Sequence, residues 1–172
     1  MNLIKHLTIA LAILVLPILV MAQENDDFFT IYLVRHAEKE QSKGNDPDLT
    51  LCGQQRAELL ADFFEAVKID ALYSSDYLRT KNTLLPTAQA KQMDYVIYDP
   101  SKLEIFAAQL KDRKQDALVI GHSNTTGVLA GLLIGEEIGA FDERIYNRIY
   151  QVVVSKKTGR LHIFHTSFSC EN

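Results

Sequence analysis

The stretch Phe28-Phe29-Thr30-Ile31-Tyr32-Leu33-Val34-Arg35-His36-Ala37-Glu38-Lys39 decides how the rest of the chain is read. Seven aromatic, β-branched or aliphatic residues with no break suit a strand buried on both faces. The run stops at an arginine and a histidine, so two polar side chains stand where an interior strand ends. A loop follows, punctuated by Gly44, Asn45, Asp46 and Pro47,.

Downstream, strand and helix patterns alternate. Thr50 suits an N-cap for a helix to about Val67, with Leu59, Leu60, Phe63, Phe64 and Val67 on one face. Ala71 to Ser74 reads as a strand, and Asp76 as the cap of a helix to about Gln92 with Pro86 as a kink or break. Tyr95 to Tyr98 is a third strand, and Pro100 opens a helix to about Arg113. Ala117 to Ile120 is a fourth strand, followed by a small-residue helix from about Thr125 to Ile134 that closes on Gly135. Ile149 to Val154 and Arg160 to Thr166 flank Lys156-Lys157-Thr158-Gly159 as a C-terminal β-hairpin. The expectation is a single α/β domain of three layers, with a mostly parallel central sheet and helices on both faces. In such sheets the ligand crevice lies beyond the carboxyl ends of the strands.

The N-terminus points to export. Lys5 and His6 precede an apolar stretch from Leu7 to Val20, interrupted by Pro17 and ending in Val20-Met21-Ala22. That is the pattern of a signal peptide over residues 1–22, leaving a domain over 23–172 and no stable membrane anchor after cleavage. Without Lys5 the mature chain has 17 basic and 22 acidic residues, a net charge of −5. Such a surface argues against a nucleic-acid partner. The two cysteines, Cys52 and Cys170, allow one bridge or two free thiols, and neither has a second ligand at metal-binding spacing,.

Three strand ends carry the chemistry: Arg35-His36, Tyr73-Ser74-Ser75 leading to Arg79, and Gly121-His122. A lone histidine or arginine is usually only a solvated or satisfied side chain. Two of each, all delivered to one crevice, describe a phosphate site with a nucleophile. Arginine forks match phosphoryl oxygens, and an imidazole keeps a neutral, nucleophilic nitrogen near neutral pH.

Leu33 to Lys39 resembles the signature of the histidine phosphatase, or phosphoglycerate-mutase-like, superfamily. Leu49-Thr50-Leu51-Cys52-Gly53 with Gln55-Arg56-Ala57, Tyr73 to Thr80 with Thr83, and Val119 to Asn124 resemble three further motifs of that family, in the same order. The resemblance implies that His36 is the nucleophile and that Arg35, Arg79 and His122 complete the phosphate pocket. The Ser123 amide at a helix start would add a donor. His36 needs its second ring nitrogen held by a backbone carbonyl of the Ala37 to Lys39 loop. No metal or other cofactor is demanded, because phosphoryl transfer is mostly positioning and charge stabilisation.

The general acid stays open among Glu104, Asp99, Glu38 and none. Glu104 best fits the family's pattern; the compact phosphohistidine phosphatase branch lacks this acid. Short connections leave no room for a large helical insertion, which implies an open site for a phosphorylated small molecule or a phosphoprotein. A mutase would need a second phosphate subsite, for which only Lys39 and Arg56 lie near the motifs. Two rivals remain: a non-catalytic phosphate- or partner-binding module on the same fold, and a serine hydrolase using Ser123 with His162 or His165.

Overall fold

The computed structural model describes residues 28–41, 44–156, 158–168 and 170. The signal-peptide reading lies outside them. Among the described residues, four helices and six strands alternate as expected: β1 (Phe29–Arg35), α1 (Leu51–Phe64), β2 (Ala71–Ser75), α2 (Leu78–Lys91), β3 (Tyr95–Tyr98), α3 (Leu103–Arg113), β4 (Ala117–Gly121), α4 (Thr126–Ile134), β5 (Arg148–Val154) and β6 (Gly159–His165).

The sheet order is β3-β2-β4-β1-β5-β6. Strands β1 to β4 run parallel, and the hairpin β5-β6 is added antiparallel beside β1. Helices α3 and α4 cover one face through Leu103, Phe106, Leu110, Leu129 and Leu133. Helices α1 and α2 cover the other through Leu60, Phe64, Leu84 and Ala88. The central strand β4 is buried along its whole length, which is why it reads as an unbroken apolar run,.

The register brings the polar strand ends together. Arg35 pairs with Gly121, and Ser74 with Ile120. The His36 amide then donates to the Gly121 carbonyl at 2.9 Å, extending the ladder one residue past the strand.

Several local expectations are corrected. Thr50 does cap α1, its hydroxyl accepting from the Gly53 amide at 3.0 Å. The helix ends at Phe64, and Leu59 and Phe63 are exposed, because the face toward the sheet runs through Ala57, Leu60, Ala61 and Phe64. Asp76 does not cap α2. A turn from Ser75 to Tyr77 delays the helix, and Asp76 pairs with Lys81 at 2.8 Å instead. Asp46, from the loop after β1, reaches across to accept from the Leu78 amide at 2.9 Å. Pro86 sits inside α2 without ending it. Pro100 does not open α3; Asp99 accepts from the Ser101 amide in a turn, and the helix starts at Leu103.

Cys52 and Cys170 form a disulfide with Cα atoms 5.8 Å apart, tying the C-terminal tail to the start of α1. The bridge closes a loop of 118 residues. In the chain-entropy picture a loop of that length contributes about 4 to 5 kcal/mol. Urea unfolding with and without a dithiol reductant is expected to show a clear loss of stability on reduction; coincident curves would contradict it.

Candidate active site

Each strand end supplies one part of the site, and the backbone fixes it before any side chain is considered. His36 is buried, and its Nδ1 lies 2.8 Å from the Ala37 carbonyl oxygen. A carbonyl only accepts, so Nδ1 carries the proton and Nε2 keeps its lone pair. The expected carbonyl partner is therefore present, on the nearest residue of the predicted loop. The Ala37 amide is held in turn by Thr83 Oγ1 at 2.9 Å, and Thr83 donates to the Arg79 carbonyl at 2.7 Å. One threonine of α2 thus links the loop of the first motif to the backbone of the second.

His122 stands with its ring centroid 5.4 Å from that of His36. Its amide donates to Thr125 Oγ1 at 2.8 Å, and its Nε2 meets Ser75 Oγ at 2.9 Å. Gly121 is needed just before it, since a Cβ there would lie 2.7 Å from the Tyr98 hydroxyl and 2.9 Å from Thr125 Oγ1.

The two arginines are braced in the same way. The Arg35 guanidinium lies over the Tyr146 ring at 4.1 Å and donates to the Glu143 carbonyl. The Arg79 guanidinium lies over the Tyr77 ring at 4.3 Å and meets Asp46 Oδ1 at 3.3 Å. Stacking on a tyrosine face fixes a flexible cation without neutralising it. The Nε atoms of both arginines are buried and unpartnered. Buried donors without acceptors are costly, so two of them around one pair of histidines fit an anion-binding site.

Electrostatics follows from this burial. Desolvation, helped by the positive charges of Arg35, His122 and Arg79, lowers the His36 pKa from 6.5 to about 3, against the opposing pull of the Ala37 carbonyl. Desolvation and then Arg79 and Arg35 lower His122 to about 4. Both rings are neutral at working pH, so the His36 Nε2 lone pair needs no base to free it.

The same shifts set a stability window. In the unfolded chain both rings take up a proton near pH 6.5, whereas the folded protein resists until about pH 4 and about pH 3. The unfolded state therefore binds more protons as pH falls below 6.5, and stability present above that pH is lost through this range. At pH 5 the loss is about 2 kcal/mol for His36 and no more than that for His122. Denaturant midpoints at pH 7.5 and pH 5 are expected to differ, and the difference to shrink in His36→Gln/His122→Gln. Equal midpoints for the unmodified protein would rule this out.

None of the three candidate carboxylates is hydrogen-bonded to His36 or His122. Glu38 is locked to Arg56, with Oε1 2.6 Å from Nη2 and Oε2 2.8 Å from Nε. Phe168 stacks on the same guanidinium at 4.8 Å, and the Cys170 sulfur lies 3.2 Å from Glu38 Oε1. This ion pair is a buttress beneath the His36 loop. Gly53 lets α1 press against it, since a Cβ there would overlap the Glu38 carbonyl oxygen. Arg56 is thereby unavailable for a second phosphate subsite. Glu38, Cys52 and Cys170 are also the only trio of metal-ligand types grouped among the described residues, and its two sulfurs are spent on each other.

Asp99 is exposed and held ionised below the usual carboxylate range by Ser101, which suits a turn and not a proton donor. Glu104 is exposed in the first turn of α3. No hydrogen bond or ion pair joins it to Arg35, His36, Arg79 or His122. The structure gathers those four around the paired histidine rings. Ser123 lies in the turn before α4, where its carbonyl accepts from the Phe141 amide at 3.0 Å. His162 and His165 are exposed on the edge strand β6, three strands from β4, or about 14 Å at the usual strand spacing,. They are too remote to serve Ser123, and the serine-hydrolase reading loses its base.

Sequence reasoning assigned no role to Ser75, Tyr77, Thr80, Asp46 or Tyr146. Ser75 to Thr80 lie within a quoted motif and were legible as a pattern; Asp46 and Tyr146 carry no local signal.

Comparison with known proteins agrees with this geometry. The sequence profile of the histidine phosphatase superfamily (branch 1) matches residues 31–160. Phosphoserine phosphatase 1 of Hydrogenobacter thermophilus is 37% identical over 75 residues, which span 40% of this chain and only 36% of that protein. Among solved structures, the protein histidine phosphatase SixA complexed with tungstate superposes with a TM-score of 0.66 at 19% identity, covering 80% of this chain and 97% of that one. The alpha-ribazole phosphatase from Shigella flexneri gives 0.68 at 16% identity over 84% and 100% of the two chains. A mycobacterial glucosyl-3-phosphoglycerate phosphatase gives 0.67 at 11% identity over 81% and 100%. At such identities the structural matches speak for the fold, while the profile match over most of the described residues speaks for descent: this chain belongs to the histidine phosphatase superfamily.

Proposed function

We propose that the protein is an exported, metal-independent phosphatase that passes a phosphoryl group from a phosphate monoester or a phosphohistidine to His36 and then to water. In the first step His36 Nε2 bonds to phosphorus as the ester oxygen or amide-like nitrogen departs with a proton. In the second, water adds to phosphorus, the P–N bond to His36 breaks, and the water gives up a proton. The observation that carries this reading is a bare imidazole Nε2 beside His122, ringed by two guanidinium groups whose buried Nε atoms have no partner.

Arg35 and Arg79 would neutralise the charge on the equatorial oxygens, and the Ser123 amide would add a donor at the turn before α4. With Glu38 paired and Asp99 held ionised, no carboxylate among the described residues is hydrogen-bonded to either histidine to protonate a poor leaving group. That favours a phosphoramidate or an activated ester over an alkyl phosphate. Export is supported by the apolar N-terminal sequence and by the Cys52–Cys170 bond, which persists in oxidising compartments,.

The test is a substrate panel containing a phosphohistidine protein, phosphoserine, sugar phosphates and an aryl phosphate, assayed with and without a metal chelator. Hydrolysis of at least one phosphate, insensitive to chelation, is expected. A protein that binds phosphate yet hydrolyses nothing on the panel would be the non-catalytic module instead.

A further inference from the structure

His122 has two ring nitrogens, and the oxygens around it are satisfied by only one placement of its proton. Thr80 Oγ1 lies 2.8 Å from the Ser75 carbonyl oxygen and 2.9 Å from that of Tyr77. Carbonyl oxygens only accept, so the single hydroxyl proton of Thr80 goes to one of them. Toward Ser75 Oγ, 3.1 Å away, Thr80 then offers lone pairs alone, and the Ser75 proton points at Thr80. Ser75 Oγ has only lone pairs left for its other neighbour, His122 Nε2 at 2.9 Å. Nε2 must carry hydrogen. With the opposite polarity, Ser75 would donate to a bare Nε2, and the two hydroxyl oxygens would face each other with lone pairs only. Ser75 and Thr80 are both fully buried, so no water relieves that contact,.

We infer that Ser75, oriented by Thr80, is a positioning residue that holds His122 as its Nε2–H tautomer and leaves Nδ1 as the basic atom of that ring. His36 is held the other way, with its proton on Nδ1 facing the Ala37 carbonyl. The two imidazoles therefore stand in opposite tautomers, one basic at Nε2 and the other at Nδ1.

The consequence for turnover rests on the phosphatase reading. A neutral His122 has no proton to offer a phosphoryl oxygen through Nδ1; it gains one there. When water attacks phospho-His36, the O–P bond forms, the P–Nε2 bond breaks, and the electron pair returns to His36 Nε2. The water proton passes to His122 Nδ1 and later to solvent. Burial and the positive charges of Arg79 and Arg35 keep His122 unprotonated in the empty site, so its Nδ1 lone pair is unoccupied when that proton is released.

Nitrogen NMR of the full chain labelled with ¹⁵N-histidine tests the tautomer directly, because a protonated ring nitrogen and a bare one resonate far apart. The chain has five histidines, and His122→Gln identifies the signals of interest. Near pH 7, Nε2 of His122 is expected to be protonated and Nδ1 bare. Thr80→Val keeps the side chain's size but removes the acceptor for the Ser75 proton, which must then go to His122 Nε2. That variant is expected to shift His122 to the Nδ1–H tautomer and to lower kcat about tenfold with KM within about twofold. An Nδ1–H tautomer in the unmodified protein overturns the inference, whether or not Thr80→Val folds. So does an unmoved tautomer in a folded Thr80→Val, and a shifted tautomer with unchanged kcat overturns the role in turnover. Failure of the phosphatase reading looks different: the unmodified protein shows the expected tautomer and hydrolyses nothing.

Discussion

Replacing His36 with alanine is expected to lower turnover by at least about 10⁴-fold on every substrate the protein accepts, the scale seen when a covalent nucleophile is removed. The argument is geometric before it is chemical. Nδ1 is committed to the Ala37 carbonyl, so the nucleophilic lone pair is fixed on Nε2, and burial among positive charges keeps the ring neutral down to about pH 3. No neighbour replaces that atom. His122 is held by Ser75 through its Nε2, and His162 and His165 lie too far across the sheet to activate Ser123. On the proposed reading Arg35 and Arg79 would still hold phosphate in the variant, so the loss is expected in kcat more than in KM. Rapid quenching with labelled substrate should give an acid-labile, base-stable phosphoprotein in the unmodified chain and none in His36→Ala. Residual activity above about one per cent in the variant would exclude His36 as the atom attacked onto phosphorus.

Arg79→Ala is expected to lower turnover at least about a hundredfold, or about 2.7 kcal/mol of transition-state stabilisation. The guanidinium is stacked on Tyr77, held on one side by Asp46, and left with a buried Nε that has no acceptor. Removing it takes away a forked, permanently charged donor whose orientation is already set in the empty protein. Lysine is expected to recover little, because an ammonium neither forks nor lies flat on the Tyr77 ring. Near-normal rates in Arg79→Ala, or full recovery in Arg79→Lys, would take Arg79 out of the site.

The Asp46 contact shows how the loop after β1 takes part. Its carboxylate caps α2 at Leu78 and also touches the Arg79 side chain one residue later, so the entry angle of the helix and the aim of the guanidinium are set together. The sequence reading put the cap on Asp76, the nearest acidic residue, because local capping rules look only a few residues away. The residue that does the capping is 32 positions upstream of Leu78.

Much of this protein was legible in the chain alone, for a definite reason. Strands buried on both faces must be nearly continuous apolar runs, so β1 and β4 announce themselves, and the polar residues that end them stand out against that background. Arg35-His36, Ser74-Ser75 with Arg79, and Gly121-His122 could therefore be placed at strand ends, and the rule that ligands bind beyond the carboxyl ends of a parallel sheet brought them together. The hairpin and the Thr50 cap were equally local, as was the carbonyl that holds His36.

Partnerships between distant residues were decided only by tertiary structure. Which carboxylate meets which arginine depends on packing between elements tens of residues apart: Glu38 with Arg56, Asp46 with Arg79, and the tail at Phe168 and Cys170 lying over the first of these pairs. Spacing left the two cysteines free to bridge or not, and left Glu38 and Glu104 as open candidates for a proton donor. A side chain's charge and shape are written in the sequence, but its partner, its burial and hence its proton are set by what the fold brings within about 3 Å of it.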